Sequence, residues 1–184
     1  MVSPERLQFH EVDAGRWRDL ERLFEAAGGP KYCWCMAWRP LPGKLRTDPQ
    51  AKKAALEHTV RQGVPVGILG YLDGEPVAWC SVAPRTTYRG LGVANDSSDS
   101  PEAVWSIVCF FVVRRLRRQG VMKHLLAAAV EHAKGKGAKI VEAYPVDPDS
   151  PSYRFMGFVS AFKAAGFQEV ARAGSRRHVM RLTF

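Results

Sequence analysis

The feature that most constrains the fold is a strand–helix–strand succession in the second half of the chain. Residues 104–113, VWSIVCFFVV, barely alternate between apolar and polar side chains, which predicts a strand buried on both faces. A basic turn leads into VMKHLLAAAVEHAKGKG, whose apolar residues recur at helical spacing, and KIVEAYPV predicts the next strand. Because a helix joining two strands of one sheet makes a right-handed crossover between parallel strands, we predict a parallel βαβ unit here.

The first half of the chain predicts two helices and three strands. A strand over residues 7–12 precedes a helix that begins near Asp13. A second helix begins at Asp48-Pro49 and ends near Gln62. The segments VPVGILGYL and EPVAWCSVA flank Asp73-Gly74, a pair typical of a two-residue hairpin turn.

After the βαβ unit, a short helix over about residues 157–165 and two strands, FQEVARA and HVMRLTF, complete the chain. The predicted order is β-α-α-β-β-β-α-β-α-β-β. This is a mixed α/β class, whose central sheet combines an antiparallel meander with one parallel βαβ unit. No internal repeat or long linker interrupts the sequence, so we expect a single domain over residues 1–184.

Composition indicates which kinds of binding partner and which cellular compartment to expect. The chain has 27 Lys and Arg against 18 Asp and Glu, a formal charge of +9, which favours a polyanionic partner or a solvated basic surface. Its longest nearly apolar run is too short to span a bilayer, and its first residues lack the apolar stretch of a secretory signal. Four cysteines do not make a disulfide framework. We therefore expect a cytoplasmic protein with no membrane partner.

The basic turn RRLRRQG joins the buried strand to the N-terminus of the following helix. The first N–H groups of a helix have no internal acceptor and the helix dipole makes that end positive, so an anion fits there. Gly120 lets an anion approach the backbone without a Cβ in the way. The turn matches neither the P-loop nor the dinucleotide fingerprint. It predicts either a phosphate cradle or a solvated basic edge.

Together these segments resemble the GNAT-type N-acetyltransferase superfamily. The resemblance rests on an apolar strand, an R-x-x-G-x-[G/A] motif that opens a helix, another strand, and a later helix ending in Gly-Phe. Here the motif reads RRQGVM at residues 117–122, and the later helix ends at Gly166-Phe167. The resemblance implies a GNAT-like acyltransferase fold. It also implies an enzyme that moves an acetyl group from acetyl-coenzyme A to a primary amine, by direct attack in a ternary complex.

The resemblance also implies which residues hold acetyl-coenzyme A. The pyrophosphate is expected at the turn and the first helical residues, namely Arg117, Arg118, Gln119, Gly120, Val121, Met122 and Lys123. The pantetheine arm is expected to pair like an extra strand with the backbone of Phe110, Phe111, Val112 and Val113. A backbone N–H near Phe111 would stabilise the oxyanion, and no metal is implied.

Two positions depart from the family pattern. Met122 stands where Gly or Ala is usual, so its side chain either crowds the pyrophosphate or points away into the core. Phe162 stands where many members carry a tyrosine that protonates the leaving thiolate, and phenylalanine donates no proton. These departures leave a non-catalytic coenzyme A sensor as an alternative.

Three residues are candidates for the proton transfers that attack by an amine requires. Glu142 and Tyr144 lie on the strand that follows the cofactor helix. Tyr153 precedes the last helix and is our substitute for the missing acid. Each has a structural alternative, which is a surface carboxylate for the glutamate and a packed ring with a satisfied hydroxyl for the tyrosines.

The segment YCWCMAW, residues 32–38, is unusually aromatic. A Cys-x-Cys pattern without a second pair does not predict a zinc site, and nothing in the sequence indicates a depressed pKa for either cysteine. The segment predicts either core packing or an aromatic wall of the acceptor pocket, formed by Tyr32, Trp34 and Trp38. A later acidic stretch either attracts a cationic amine or is a solvated loop, and it contains Asp96, Asp99 and Glu102.

The sequence leaves the acceptor open between a small-molecule amine and a protein amine, and it leaves a homodimer open. A basic nucleic-acid-binding module is the alternative from another class. Its arginines would bind phosphates and its aromatic residues would stack on bases. In this chain the arginines concentrate at one turn instead of spreading along a face, and no nucleic-acid motif is present, so we favour the acyltransferase.

Overall fold

A computed structural model describes residues 1–92 and 103–184, which form a seven-stranded sheet with helices on both faces. The strands are β1 (Leu7–Glu11), β2 (Ile68–Leu72), β3 (Glu75–Pro84), β4 (Val104–Val112), β5 (Ile140–Ala143), β6 (Gln168–Ala173) and β7 (Arg177–Thr183). Their order across the sheet is β1-β2-β3-β4-β5-β7-β6. Strands β4 and β5 are parallel, and the other neighbours are antiparallel. The predicted mixed sheet with one parallel βαβ unit is confirmed.

In the described part of the chain, the α-helices are α1 (Trp17–Glu25), α2 (Pro49–Arg61), α3 (Val121–Gly135) and α4 (Val159–Ala164). The side chain of Asp48 caps α2 by accepting the Gln50 N–H at 2.9 Å. Asp13 caps the short 3₁₀ turn that leads into α1. The last helix begins two residues later than predicted, because Gly157 adopts a non-helical conformation at a φ of 89°.

The helices α1 and α2 cover one face of the sheet, and α3 and α4 cover the other. On the first face the core is aromatic. Trp34 stacks on Trp17 with ring centroids 5.9 Å apart, and Trp79 meets Phe24 edge-on at 5.7 Å. Because both faces are covered, the central strands β3 and β4 are almost continuously apolar.

The pairing between β4 and β5 stops halfway along β4. It ends where Ile107 meets Ala143, whereas β4 stays paired with β3 as far as Val112. The second half of β4 therefore has an open backbone edge on the side of β5. We call this opening, along residues 108–112, the β4–β5 gap.

Two sequence features separate the strands at this point. Val108 is the extra residue of a β-bulge against β3, because the register moves from Cys109 to Ile107 across one step of the partner strand. On the other side, Pro145 follows shortly after the end of β5 and has no N–H with which to continue the ladder. The bulge and the proline together explain why the gap lies here.

We expect the substitution Trp34→Ala to lower the free energy of unfolding by about 3–5 kcal/mol, because it removes a large side chain from the aromatic core and leaves a cavity. Urea denaturation measures the change. Tyr32→Ala is the matched control, since Tyr32 is 69% exposed and its loss should cost less than about 0.5 kcal/mol. Equal losses in the two variants would contradict the core position of Trp34.

Candidate active site

The N-terminus of α3 is open to an anion. Gly120 precedes the helix at a φ of 86°, and no side chain caps it. A Cβ built on Gly120 would have the Met1 methyl group at 3.4 Å and no other described atom outside its chain neighbours within 4 Å. The Met122 side chain is therefore not folded over Gly120. Its methyl group instead lies close to Gly157, in the turn before α4.

Five exposed cationic side chains lie at or near this helix end, and they are Arg114, Arg115, Arg117, Arg118 and Lys123. Within the described residues, none of the five forms an ion pair with a carboxylate. The Arg117 Nε donates to the Val112 carbonyl at 3.0 Å, which fixes that guanidinium at the end of the gap. An anion bound at Gly120 would meet positive charge that no described carboxylate neutralises.

A groove of about 630 Å³ extends from this helix end between α3 and α4. Its lining is mostly apolar and consists of Gly120, Met122, Lys123, Leu126, Ala127, Val130, Glu131, Ala161, Ala164, Ala165, Leu182 and Phe184. The groove suits the non-reacting part of an elongated ligand whose phosphate lies at Gly120.

The backbone groups of β4 point alternately toward β3 and toward the gap. The Val113 N–H donates to the Val77 carbonyl of β3 at 3.0 Å, and successive residues of an antiparallel strand direct their N–H groups to opposite sides. The N–H groups of Phe110 and Val112 therefore face the gap, and the Phe111 N–H faces β3. The backbone N–H groups near Phe111 that face the gap are therefore those of its two neighbours.

An apolar cavity of about 260 Å³ lies where the segment after α1 meets the second half of β4. We call it the β4 cavity. It is lined by Pro30, Cys33, Cys35, Ala37, Trp38, Val108, Cys109, Phe110, Phe111 and Phe155. No described aspartate or glutamate belongs to this lining.

The structure places one of the three predicted acceptor-wall residues at this cavity. Trp38 lines it, whereas Trp34 is buried in the core beneath α1 and Tyr32 is largely exposed. Both Trp34 and Cys35 adopt positive φ angles, 46° and 54°, so the chain reverses between the tryptophans. An inference from sequence spacing assumes a regular backbone, so it does not predict such a reversal.

The side chain of Trp38 lies close to two guanidinium groups. Arg177 is 4.5 Å and Arg89 is 5.1 Å from a Trp38 ring centroid, distances typical of cation–π contacts. The ring of Tyr153, the candidate acid, lies 6.2 Å from that of Trp38. Arg177 also lies over the Tyr153 ring at 5.2 Å, and burial lowers the pKa of this guanidinium. Tyr153 therefore stands beside the β4 cavity, next to one of its wall residues.

Glu142 and Tyr144, the other two candidates for proton transfer, are fully buried in one hydrogen-bonded network. The Tyr144 hydroxyl donates to the Glu142 carboxylate at 2.5 Å and lies 2.9 Å from the Ser106 hydroxyl. The same carboxylate accepts from the Arg181 Nε at 2.7 Å and from Arg85 at 3.4 Å. Burial, followed by the Glu142 carboxylate, raises the pKa of Tyr144. This geometry suits a structural role better than exchange of protons with a substrate.

The phenylalanine at the position of the usual acid is part of the core. Phe162 is completely buried, with its ring centroid 5.1 Å from that of Phe167 and 6.1 Å from that of Phe110. It supports the strand that borders the gap and supplies no proton.

Sequence reasoning missed a buried arginine, Arg39, which directly follows the cavity residue Trp38 in the chain. Arg39 is 2% exposed and donates to the Val66 carbonyl at 2.8 Å, the Ser81 hydroxyl at 3.1 Å and the Tyr88 hydroxyl at 3.3 Å. Its guanidinium also lies 4.6 Å from the centroid of the Tyr88 ring. The one sequence signal was an arginine directly after the aromatic segment, and only the fold shows that this arginine is buried.

Some expectations fall outside these findings. The acidic stretch with Asp96, Asp99 and Glu102 lies outside the described residues. Over residues 1–92 and 103–184, no helix is long and apolar enough to cross a bilayer. The same residues contain no group of three or more His, Cys, Asp or Glu side chains placed to hold a metal ion.

Comparisons with known proteins agree with this geometry. Residues 19–158 match the sequence model described as the acetyltransferase (GNAT) family, which is about three quarters of the chain. Comparison with curated protein sequences gave no match.

Solved structures share the fold at low sequence identity. AAC(6')-Ib in complex with ribostamycin and coenzyme A superposes with a TM-score of 0.62 at 16% identity, covering 96% of this chain and 93% of that one. The PaiA N-acetyltransferase from Thermoplasma acidophilum, in complex with coenzyme A, superposes with a TM-score of 0.57 at 12% identity, covering 97% of this chain and 99% of that one. A GCN5-related N-acetyltransferase from Kribbella flavida superposes with a TM-score of 0.60 at 15% identity, covering 99% of this chain and 100% of that one.

We expect Glu142→Gln to lower the free energy of unfolding by about 3–5 kcal/mol, because it replaces the buried carboxylate that Arg85 and Arg181 both contact by a neutral amide. Urea denaturation at neutral pH measures the loss. Glu5→Gln, at an exposed position, is the control and should change stability by less than about 0.5 kcal/mol. A Glu142→Gln variant as stable as the control would contradict the structural role of this carboxylate.

Proposed function

This chain belongs to the acetyltransferase (GNAT) family, and on that premise we propose that it transfers the acetyl group of acetyl-coenzyme A to an amine held in the β4 cavity. The observation that carries the proposal is the alignment of three features along β4. An uncapped helix end, an open strand edge and an apolar cavity follow one another from Gly120 to Trp38. We propose that residues 1–184 form one acetyltransferase domain.

The residues at the α3 N-terminus fit the coenzyme's pyrophosphate. The first two N–H groups of α3 have no intrahelical acceptor, and the Lys123 N–H donates to the Gly120 carbonyl at 3.0 Å. Gly120 has no Cβ, and among the described atoms beyond its chain neighbours only the Met1 methyl group lies near the position of one. Arg118 and Lys123 are exposed cations next to it. We assign residues 117–123 to this part of the coenzyme, and the groove between α3 and α4 to its apolar surroundings.

The open edge of β4 fits the pantetheine arm. An amide-bearing chain can hydrogen-bond to an unpaired strand edge as a further strand does. The Phe110 and Val112 N–H groups are the available donors on this edge, and the Val112 carbonyl already accepts from Arg117. One of the two N–H groups would stabilise the negative charge that develops on the thioester oxygen during attack.

The coenzyme supplies an activated thioester, so the chain's own task is to align the two substrates and to move protons. The amine attacks directly within a ternary complex. We assign Tyr153 as the acid that protonates the leaving thiolate, because it stands beside the cavity wall and Glu142 and Tyr144 are enclosed in their own network. Phe162, at the position of the usual acid, is buried and has no proton to donate.

The β4 cavity indicates the kind of acceptor. Its lining is apolar and contains no described carboxylate to hold an ammonium group, which favours an amine with an apolar body. The neighbour AAC(6')-Ib was solved with an aminoglycoside, ribostamycin, and the β4 cavity offers no comparable attraction to a polycation. The acceptor is either a small molecule or an amine of a protein. A panel of amines of both kinds, assayed by release of coenzyme A, tests the proposal. Release with apolar amines supports it, and no release with any amine would contradict it.

We expect Gly120→Glu to weaken acetyl-coenzyme A binding by about 100-fold or more, because it places a carboxylate where the pyrophosphate binds. Isothermal titration calorimetry with acetyl-coenzyme A measures the change. Gly120→Ala is the matched control: it introduces the same left-handed backbone strain, of about 1–2 kcal/mol, without the charge, and should bind within about 10-fold of the native chain. Equal affinities of the two variants would remove the pyrophosphate site from Gly120.

A further inference from the structure

The lining of the β4 cavity is rich in aromatic rings and sulfur. Four of its ten residues are aromatic, three are cysteines, and the other three are small aliphatic residues. The groove between α3 and α4 differs, because Phe184 is the one aromatic residue among the twelve that line it. These two apolar sites therefore present different kinds of surface to a ligand.

The aromatic residues of the β4 cavity come from three separate parts of the chain. Trp38 belongs to the segment after α1, Phe110 and Phe111 to β4, and Phe155 to the turn before α4. Rings that border one cavity can contact a bound ring by edge or by face, which adds to the gain from burying apolar area. Polarisable sulfur atoms also make favourable contacts with aromatic rings. The lining is thus complementary to an aromatic group.

Phe155 is a large apolar side chain that the fold leaves 41% exposed. It lies in the 3₁₀ turn Arg154–Met156, and its ring centroid is 6.3 Å from that of Tyr153, the proposed acid. Because it lines the cavity and is also open to solvent, Phe155 lies at the rim and has apolar surface that a ligand can cover.

The size of the cavity suits one aromatic ring on a short chain. Its volume is about 260 Å³. A dry apolar protein cavity of about 150 Å³ holds one benzene molecule. The rest of the volume leaves space for a short linker between such a ring and an amine at β4.

Charge near the cavity opposes a second cationic group on the acceptor. No described aspartate or glutamate lines the cavity. The guanidinium groups of Arg177 and Arg89 lie 4.5 Å and 5.1 Å from a ring centroid of Trp38, and neither forms an ion pair with a described carboxylate. A second ammonium group would therefore meet positive charge, whereas an uncharged ring would not.

We propose that the acceptor is an arylalkylamine, a monoamine with an aromatic ring on a short chain, and that Phe155 is a residue that determines this specificity. The inference rests on the proposed function, because it places the acceptor in the β4 cavity. The ring lies in the cavity against Phe155 and Trp38, and the amine faces the open edge of β4. The amine nitrogen forms a bond to the thioester carbon and the carbon–sulfur bond breaks. The proton that the nitrogen loses ends on the coenzyme A thiol, so no further reactant is needed.

The first test compares three amines of similar length by release of coenzyme A, namely phenethylamine, cyclohexylethylamine and hexamethylenediamine. Cyclohexylethylamine has an apolar ring of similar size that is not aromatic, and the diamine carries a second charge. We expect kcat/KM for phenethylamine to exceed that for cyclohexylethylamine by about 3- to 10-fold and that for the diamine by about 100-fold or more. Either competitor acting as well as phenethylamine would overturn the inference.

The second test removes the ring at the rim of the cavity. Phe155→Ala should raise KM for phenethylamine by about 10-fold and leave KM for acetyl-coenzyme A near its native value. Phe155→Leu keeps apolar surface without a ring, so kcat/KM for phenethylamine and for cyclohexylethylamine should come within about 2-fold of each other. Val170→Ala is the control and should keep native kinetics, because Val170 is 54% exposed on β6 and does not line the cavity. A Phe155→Ala variant with native KM for phenethylamine would remove Phe155 from the acceptor site.

A binding measurement separates this inference from the proposed function, because it needs no acetyl transfer. Isothermal titration calorimetry follows phenethylamine binding to the native chain and to Phe155→Ala, each with and without coenzyme A. If no amine releases coenzyme A but the native chain binds phenethylamine about 10-fold more tightly than Phe155→Ala does, the proposed function fails and the arylalkylamine site stands. A native chain that does not bind phenethylamine, or that binds it no better than the variant, would overturn the inference.

Discussion

The function proposed for this protein depends on one local event in the sheet, the end of hydrogen bonding between β4 and β5. Up to Ile107 and Ala143 the two strands satisfy each other's backbone groups. Beyond that point β4 keeps its partner on one side and loses it on the other. Unpaired backbone groups in the middle of a sheet are costly unless water or a ligand satisfies them. In the proposed function the gap is a binding element made by the backbone, and it needs no particular side chain.

Other parts of the site are arranged around that opening. The βαβ crossover places the N-terminus of α3 next to the end of β4, so the proposed anion site and the open strand edge are neighbours. The bulge at Val108 and the proline after β5 hold the strands apart. On the other side, the segment after α1 closes the β4 cavity with Trp38 and Cys35. A ligand along this path would present its reactive end to the cavity.

The arginines whose side chains are largely buried find different partners. The Glu142 carboxylate accepts from both Arg85 and Arg181. Arg177 lies against aromatic rings and gives its hydrogen bond to a carbonyl. Arg39 donates to a carbonyl and two hydroxyl groups and lies over the Tyr88 ring. These contacts satisfy buried charge inside the fold, and they separate its structural arginines from the exposed arginines at the α3 N-terminus.

Much of the fold follows from the sequence, because hydrophobic periodicity and turn residues specify it locally. The strand over 104–113, the turn with Gly120 and the helix after it are all present as predicted. The surroundings of the candidate site residues were harder to predict from the sequence. The sequence places Glu142 two residues from Tyr144 whether the pair is buried or exposed, so only the fold shows that both side chains are enclosed. Likewise, the chain reversal at Trp34 and Cys35 comes from positive φ angles, which tryptophan and cysteine rarely adopt and which the sequence therefore does not predict.

Amide hydrogen exchange followed by NMR, with and without acetyl-coenzyme A, tests the central claim most directly. In the free protein the Phe110 and Val112 amides should exchange quickly, because they face the gap, while the Phe111 amide, paired with β3, should exchange slowly. Addition of acetyl-coenzyme A should slow exchange at Phe110 and Val112 and leave Phe111 unchanged. If Phe110 and Val112 are protected in the free protein, or stay unprotected when the coenzyme is bound, the open edge of β4 is not where the thioester arm binds.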